Sequence, residues 1–311
     1  MRIGIYLSYV GLGANLLHLS YCHQIAKKYG PVSIITLCKN LEETLEDDPL
    51  IENVYYIDKF QKRLTDIYKL SNIIKKLNFN KLLVFYPSIR IYLSAKLAGI
   101  KEVYIYNILK KKNLHIVYAA KKLTEDFLGI NNCPTETNFY IDEKKTAEIK
   151  NLNKNKFKIV IGAGSSGPST RWGSRNFYTL INKLNEEGNY FFYILCGPNE
   201  KEIEREIISN LKSKNFLTLS DKKIKELLPY LCTADMYVGN DSFGSHITSQ
   251  SGIKSIVILL DTPKAYTDYS NNYYRVIPKG FKIDEITHDT NANPSLVTVD
   301  EIKNKIDDIK S

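Results

Sequence analysis

The chain has 311 residues, 43% of them apolar, with a net charge of +9 carried mostly by lysine. That is too long for one ordinary core and fits two domains of roughly 150 residues each. No apolar run is long enough to cross a bilayer, the start lacks a signal-peptide pattern, and neither the five scattered cysteines nor the five histidines have metal-ligand spacing.

The segment Arg2–Leu7 reads as a first strand, and the expected location is therefore the cytoplasm, where unpatterned cysteines remain as thiols. Further strands are predicted at Val32–Leu37, Val54–Ile57, Lys81–Phe85 and Glu102–Tyr106. Helical periodicity between them covers Ala14–Tyr29, Leu64–Leu77 and Ile89–Ala98. Strand and helix in alternation give βαβ units and a parallel sheet. The basic runs Lys110–Lys112 and Lys121–Lys122 read as a solvated helix face. Functionally they would suit a polyanionic substrate or an anionic membrane surface; nucleic acid ranks last, because no nucleic-acid-binding signature is present.

From Asp142 to Lys156 the chain is polar and nearly devoid of large apolar residues, so the domain linker is placed at its end, dividing 1–154 from 155–311. The alternation then restarts with strand Phe157–Ile161, helix Arg175–Glu187, strand Tyr190–Cys196, helix Lys201–Lys212 and strand Phe216–Leu219. Helix Lys223–Cys232, strand Met236–Val238, helix Gly244–Ser251 and strand Ser255–Leu260 follow, and Val299–Ile309 forms a last helix free to pack back on the first domain. Two doubly wound domains facing one another would leave a cleft at the carboxyl ends of both sheets, where such folds bind ligands.

Between the strand ending at Ile161 and the next helix runs Gly162-Ala-Gly-Ser-Ser-Gly-Pro-Ser-Thr-Arg171-Trp172. Backbone N–H groups, hydroxyls and a cation in one loop suit a phosphate, although a plain surface turn has the same composition. Asp241-Ser242, between a strand and a helix, reads as a helix N-cap and equally as an anion-binding helix start. Gly11-Leu-Gly13 is followed by Leu16 where the dinucleotide fingerprint needs a third glycine, which excludes a nicotinamide site.

Several of these blocks resemble the heptosyltransferase family of glycosyltransferases. Gly162 to Trp172 is similar to that family's Pro-Gly-Ala-Ser-x-Gly-Pro-x-Lys-Arg-Trp loop. Tyr193-Ile-Leu-Cys-Gly-Pro-Asn-Glu200 resembles its Leu-Gly-Gly-Pro-x-Glu segment, and Ala234-Asp-Met-Tyr-Val-Gly-Asn-Asp241-Ser242 with His246 resembles its Ala-Asp-x-x-Val-Gly-Asn-Asp-Ser-Gly-x-x-His block. More weakly, Gly11-Leu-Gly13 with Leu16-Leu17 and Asp48-Pro-Leu-Ile-Glu-Asn-Val54 resemble its first-half motifs. The resemblance implies the α/β GT-B architecture of two facing Rossmann-like domains, with the second holding a nucleotide-diphosphate sugar.

Carried over residue by residue, it places Asp241, Ser242, Phe243 and Gly244 around the donor's diphosphate or sugar, with His246 as a further contact. Glu200 falls where the family has a carboxylate facing the ribose hydroxyls. Arg171 meets the departing diphosphate, helped by Ser165, Ser166 and Thr170. No metal or other cofactor is implied. The first-half loop Gly11, Gly13, Ala14 and Asn15 falls on the acceptor side.

Three departures matter. Ala14 replaces the aspartate thought to deprotonate the acceptor, Thr170 replaces a lysine, and Phe243 replaces a glycine beside the diphosphate. Alanine takes no proton, so the base is His18 one turn along, or a carboxylate elsewhere, or activity is lost; His18 also fits an ordinary helix-surface residue. The expectation is an inverting, metal-independent glycosyltransferase acting on a lipopolysaccharide or lipooligosaccharide core or other bacterial surface glycan. It would meet an anionic, lipid-linked acceptor at the inner face of the inner membrane. The alternatives are a non-catalytic nucleotide-sugar-binding or assembly protein, a related transferase with another donor or a protein acceptor, and an epimerase or hydrolase.

Overall fold

A computed structural model describes residues 1–58, 63–107 and 115–310, so the Lys110–Lys112 run lies outside the described residues. The chain divides into two units, Met1–Tyr140 and Ile141–Ser311.

In the first unit five parallel strands stand in the order β3-β2-β1-β4-β5. They are β1 (Ile3–Leu7), β2 (Val32–Thr36), β3 (Ile51–Tyr56), β4 (Lys81–Val84) and β5 (Glu102–Ile105). All five residues of β1 are buried, as expected of a central strand covered on both faces. The chain winds outward from β1 to β3 and then restarts at β4 on the other side. That reversal puts the topological switch point between β1 and β4.

The helix expected at Ala14–Tyr29 is two, α1 (Leu12–Leu16) and α2 (Leu19–Tyr29). The break lies at His18, whose backbone N–H goes to Asn15 O while its ring Nδ1 lies 2.7 Å from Ala14 O. The ring thus occupies the carbonyl that a continuous helix would give to its own backbone. The short α3 (Leu41–Thr44) follows β2, and α4 (Thr65–Leu77) and α5 (Ile89–Leu97) flank β4. Helix α6 (Ile116–Leu128) completes the unit and was not among the predicted elements; the neighbouring lysine runs hide its apolar face of Ile116, Val117, Ala120 and Leu128.

The second unit begins earlier than the composition suggests. Within the polar stretch read as a linker lies α7 (Glu143–Asn151), capped by Asp142 Oδ1, which accepts from the Lys145 N–H at 3.0 Å. Buried Ile149 anchors this helix, which packs on α10 (Ile224–Thr233). At its end Lys158 Nζ donates to the carbonyls of Ile149 and Lys150, at 3.2 and 2.7 Å. The 154/155 division therefore moves to 140/141, because these contacts tie α7 to the strands and helices of the second half.

Six parallel strands form the second sheet in the order β11-β10-β9-β6-β7-β8. They are β6 (Phe157–Gly162), β7 (Tyr190–Leu195), β8 (Phe216–Thr218), β9 (Met236–Asn240), β10 (Lys254–Ile258) and β11 (Tyr273–Val276). Around them lie α8 (Ser174–Glu187), α9 (Lys201–Ser209), α11 (Phe243–Gln250) and α12 (Val299–Lys310). The winding reverses between β6 and β9. Strand β11 was missed because its Tyr-Tyr-Arg-Val sequence sits among polar loops. The last helix stays in this unit: Ile302 and Ile306 join the core with Trp172 and Phe177, and Lys303 pairs with Glu187 of α8 at 2.7 Å.

Candidate functional site

Side chains from four strand ends meet at the β6/β9 switch point. Asn240 closes β9 and is fully buried; its Nδ2 donates to Ala163 O at 2.7 Å and its Oδ1 accepts from the Trp172 N–H at 2.9 Å. One side chain thereby staples both ends of the Gly162–Trp172 loop to the start of the Asp241 turn. Trp172 fixes the far side, donating Nε1 to Val297 O at 2.8 Å.

Glu200 holds the neighbouring turn to this loop. Its Oε1 accepts from the Ser165 N–H and from Arg171 Nη2, each at 2.9 Å, and its Oε2 accepts from the Gly197 N–H at 2.7 Å. The approach needs Gly164, since a Cβ there would lie 2.1 Å from Glu200 Oε2. The Arg171 guanidinium is therefore oriented by a carboxylate beneath it while staying partly exposed. Ser166 is exposed at the loop tip. The hydroxyls of Ser165 and Thr170 are engaged within the loop. Thr170 Oγ1 donates to Ser165 Oγ and Gly167 O at 2.7 and 2.8 Å, and Ser165 Oγ donates to Gly167 O at 3.0 Å. These bonds within the loop hold its shape.

Asp241 stands at the carboxyl end of β9, before α11. Its Oδ2 accepts from Thr262 Oγ1 at 3.0 Å, and its Oδ1 accepts from Tyr273 OH at 3.2 Å with His246 Nε2 3.6 Å away. His246 Nδ1 lies 2.8 Å from Tyr269 OH, and burial lowers the imidazole pKa against the opposing pull of Asp241. Ser242 Oγ meets Tyr237 OH at 3.2 Å, and the Ser242 N–H donates to Ser245 Oγ at 3.3 Å. Phe243 is half-buried at the first helical position, and Gly244 is buried where a Cβ would lie 2.6 Å from Leu195 Cδ2. Asp241, the α11 amides and Arg171 thus share one carboxyl edge, pairing a helix start and a cation with a carboxylate.

Sequence reasoning missed Asn240, Thr262, Tyr273 and Asp261, whose Oδ2 accepts from Ser169 Oγ at 2.6 Å. Asp261-Thr262 follows the apolar end of β10, so the rule that picked out Asp241-Ser242 would have found it. Tyr273 lies on the unpredicted strand.

The first unit's switch point is organised around His18. Its ring is fully buried, with Nδ1 at Ala14 O, Nε2 3.0 Å from Tyr106 OH, and Tyr9 stacked at 4.9 Å between centroids. Burial pushes its pKa down to about 4. It is therefore not a helix-surface residue, and both ring nitrogens are engaged within the unit, an arrangement that does not favour a base role. Asn15 is also buried, donating to Tyr9 O and Gly11 O and accepting from Thr36 Oγ1. Gly11 is exposed, and Gly13 and Ala14 are half-buried on the same turn.

Residues 91–296, more than half of the chain, match the sequence model of glycosyltransferase family 9 (heptosyltransferase). The chain belongs to this family. Lipopolysaccharide heptosyltransferase 1 of Campylobacter coli is 23% identical over 292 residues, covering 85% of each protein. Among solved structures, a family 9 glycosyl transferase from Veillonella parvula has a TM-score of 0.76 at 16% identity, over 100% of this chain and 97% of that one. E. coli heptosyltransferase WaaC with ADP gives 0.72 at 14% identity, over 99% of both chains. E. coli ADP-heptose lps heptosyltransferase II gives 0.70 at 14% identity over 100% of both. The family 9 chain accordingly has the expected fold class, two Rossmann-like α/β domains of the GT-B kind. No described helix is long and apolar enough to cross a membrane.

Proposed function

We propose that this family 9 glycosyltransferase moves a heptose or related sugar from a nucleotide-diphosphate donor to a bacterial surface glycan, the lipopolysaccharide or lipooligosaccharide core first among them. The observation that carries the reading is the convergence of Arg171, Glu200, Asp241 and the α11 start on one switch point. The diphosphate lies against the Arg171 guanidinium and the amides of Phe243 and Gly244, while Asp241 accepts hydrogen bonds from sugar hydroxyls. Glu200 keeps the cation in place and faces the ribose. His246, behind Asp241, fixes that carboxylate's orientation. In an inverting transfer the acceptor oxygen attacks the anomeric carbon opposite the leaving diphosphate. The growing phosphate charge then meets a preset cation and helix amides, so no metal is required. The names of the similar proteins, which include ADP-heptose and lipopolysaccharide, support this donor and acceptor class.

A second reading has one specific observation behind it. Ala14 carries no proton acceptor and His18 is sealed, so the acceptor's proton must go to another carboxylate of the chain, or else the protein binds nucleotide sugars without transferring them. Incubation with a nucleotide-sugar panel, with and without glycan acceptor, separates the two. Acceptor-dependent nucleotide release supports transfer; tight binding without turnover supports the binding protein, and acceptor-independent turnover contradicts both.

A further inference from the structure

Helices α4 and α5 pack side by side and bury Leu70, Ile74, Ile91 and Ala95 in the first unit's core. Their outer faces are unlike ordinary solvated helix surfaces. On α5 the residues Ile89, Leu93 and Leu97 recur every four positions and so line one stripe. Leu64 and Tyr68 do the same at the start of α4, and all five are between 46% and 81% exposed. Scattered apolar residues need no explanation, but an ordered stripe on two adjacent helices does.

The charged residues exposed on these helices have one sign. Exposed Arg90 and Lys96 flank the α5 stripe, and exposed Lys69, Lys75 and Lys76 continue the α4 face. Among the described residues no acidic side chain is exposed on either helix, since Asp66 of α4 is buried and bound to the Arg63 N–H. The asymmetry extends to the unit: residues 1–140 hold nineteen Lys and Arg against twelve Asp and Glu, while the rest hold twenty-four against twenty-two. An apolar stripe edged by cations and free of anions fits an interface where hydrocarbon lies under negative headgroups.

We infer that the α4–α5 face docks the protein on an anionic phospholipid bilayer. The apolar side chains enter the headgroup boundary and the lysines and Arg90 remain at phosphate level, their stems lying along the surface. The inference draws its purpose from the lipid-linked acceptor of the proposed function, yet its test needs neither donor nor turnover.

The test is co-sedimentation of the full chain with phosphatidylcholine vesicles, with and without phosphatidylglycerol, at low and high salt. The wild type should partition onto the anionic vesicles, and salt should release it. The triple variant Ile89→Ser, Leu93→Ser, Leu97→Ser should lose about tenfold or more of the partitioning. The double variant Arg90→Gln, Lys96→Gln should lose about twenty-fivefold, roughly fivefold per charge. Thermal melts of both should match the wild type because all five positions are exposed. No partitioning of the wild type, or equal partitioning of all three proteins, overturns the inference. So does a wild-type dimer in light scattering that the triple variant abolishes while vesicles capture nothing. Nucleotide-sugar affinity measured on the same proteins reports separately on the proposed function.

Discussion

Replacing His18 with glutamine should flatten the acid sensitivity of the first unit. The folded chain holds this imidazole fully buried, with a pKa lowered from 6.5 to about 4. The unfolded chain therefore binds the extra proton. The stability the neutral ring contributes is complete above about 6.5 and is lost as the pH falls toward 4. At about 1.4 kcal/mol per pKa unit the full loss is ~3 kcal/mol, of which about 2 kcal/mol is gone by pH 5. Glutamine does not titrate, so His18→Gln should be less stable than the wild type at pH 7 yet lose about 2 kcal/mol less between pH 7 and pH 5. Urea unfolding followed by far-ultraviolet circular dichroism at both pH values measures this, other titrating groups cancelling in the difference. Parallel losses in the two proteins would mean that the His18 imidazole does not set the acid sensitivity. A kcat lowered about a thousandfold in a folded His18→Gln would restore the base role.

Glu200→Gln removes the carboxylate that holds Arg171. It should cost about 2 kcal/mol of stability and weaken donor binding about tenfold, read by denaturation and calorimetry. Gly239→Ala should destabilise the second unit by about 3 kcal/mol, because the new Cβ would lie 2.4 Å from Gly162 O and 2.5 Å from its Cα, where backbone cannot yield. The fluorescence of Trp172, the chain's single tryptophan, follows that unfolding. Chelation with EDTA should leave turnover unchanged; a loss restored by magnesium would contradict the metal-free reading.

Most of the fold was legible because buried parallel strands are plain apolar runs, as in Ile3–Leu7 and Tyr190–Leu195. Helix α7 was hidden because one buried residue, Ile149, holds it, and its evidence lies in a lysine that caps it from the next strand. The division of Ala14–Tyr29 was hidden for a related reason, since a histidine ring competing for a carbonyl leaves no mark in the hydrophobic period. At the candidate site, motif blocks located Arg171, Glu200 and Asp241. They could not reveal that Asn240 staples two loops, that the Ser165 and Thr170 hydroxyls bond within their own loop, or that Tyr273 reaches Asp241 from an edge strand. The Asn240 and Tyr273 contacts join residues distant in sequence, and the Ser165 and Thr170 bonds depend on how the loop folds on itself, so no local pattern encodes them.

Calorimetric donor titration of Asp241→Ala against the wild type asks whether a diphosphate sugar seats on the β6/β9 carboxyl edge. Donor affinity should fall about a hundredfold or more, the loss expected when partners in a polar site go unpaired, with the Trp172 unfolding transition still cooperative. Affinity within twofold of the wild type in a folded variant would contradict that seating.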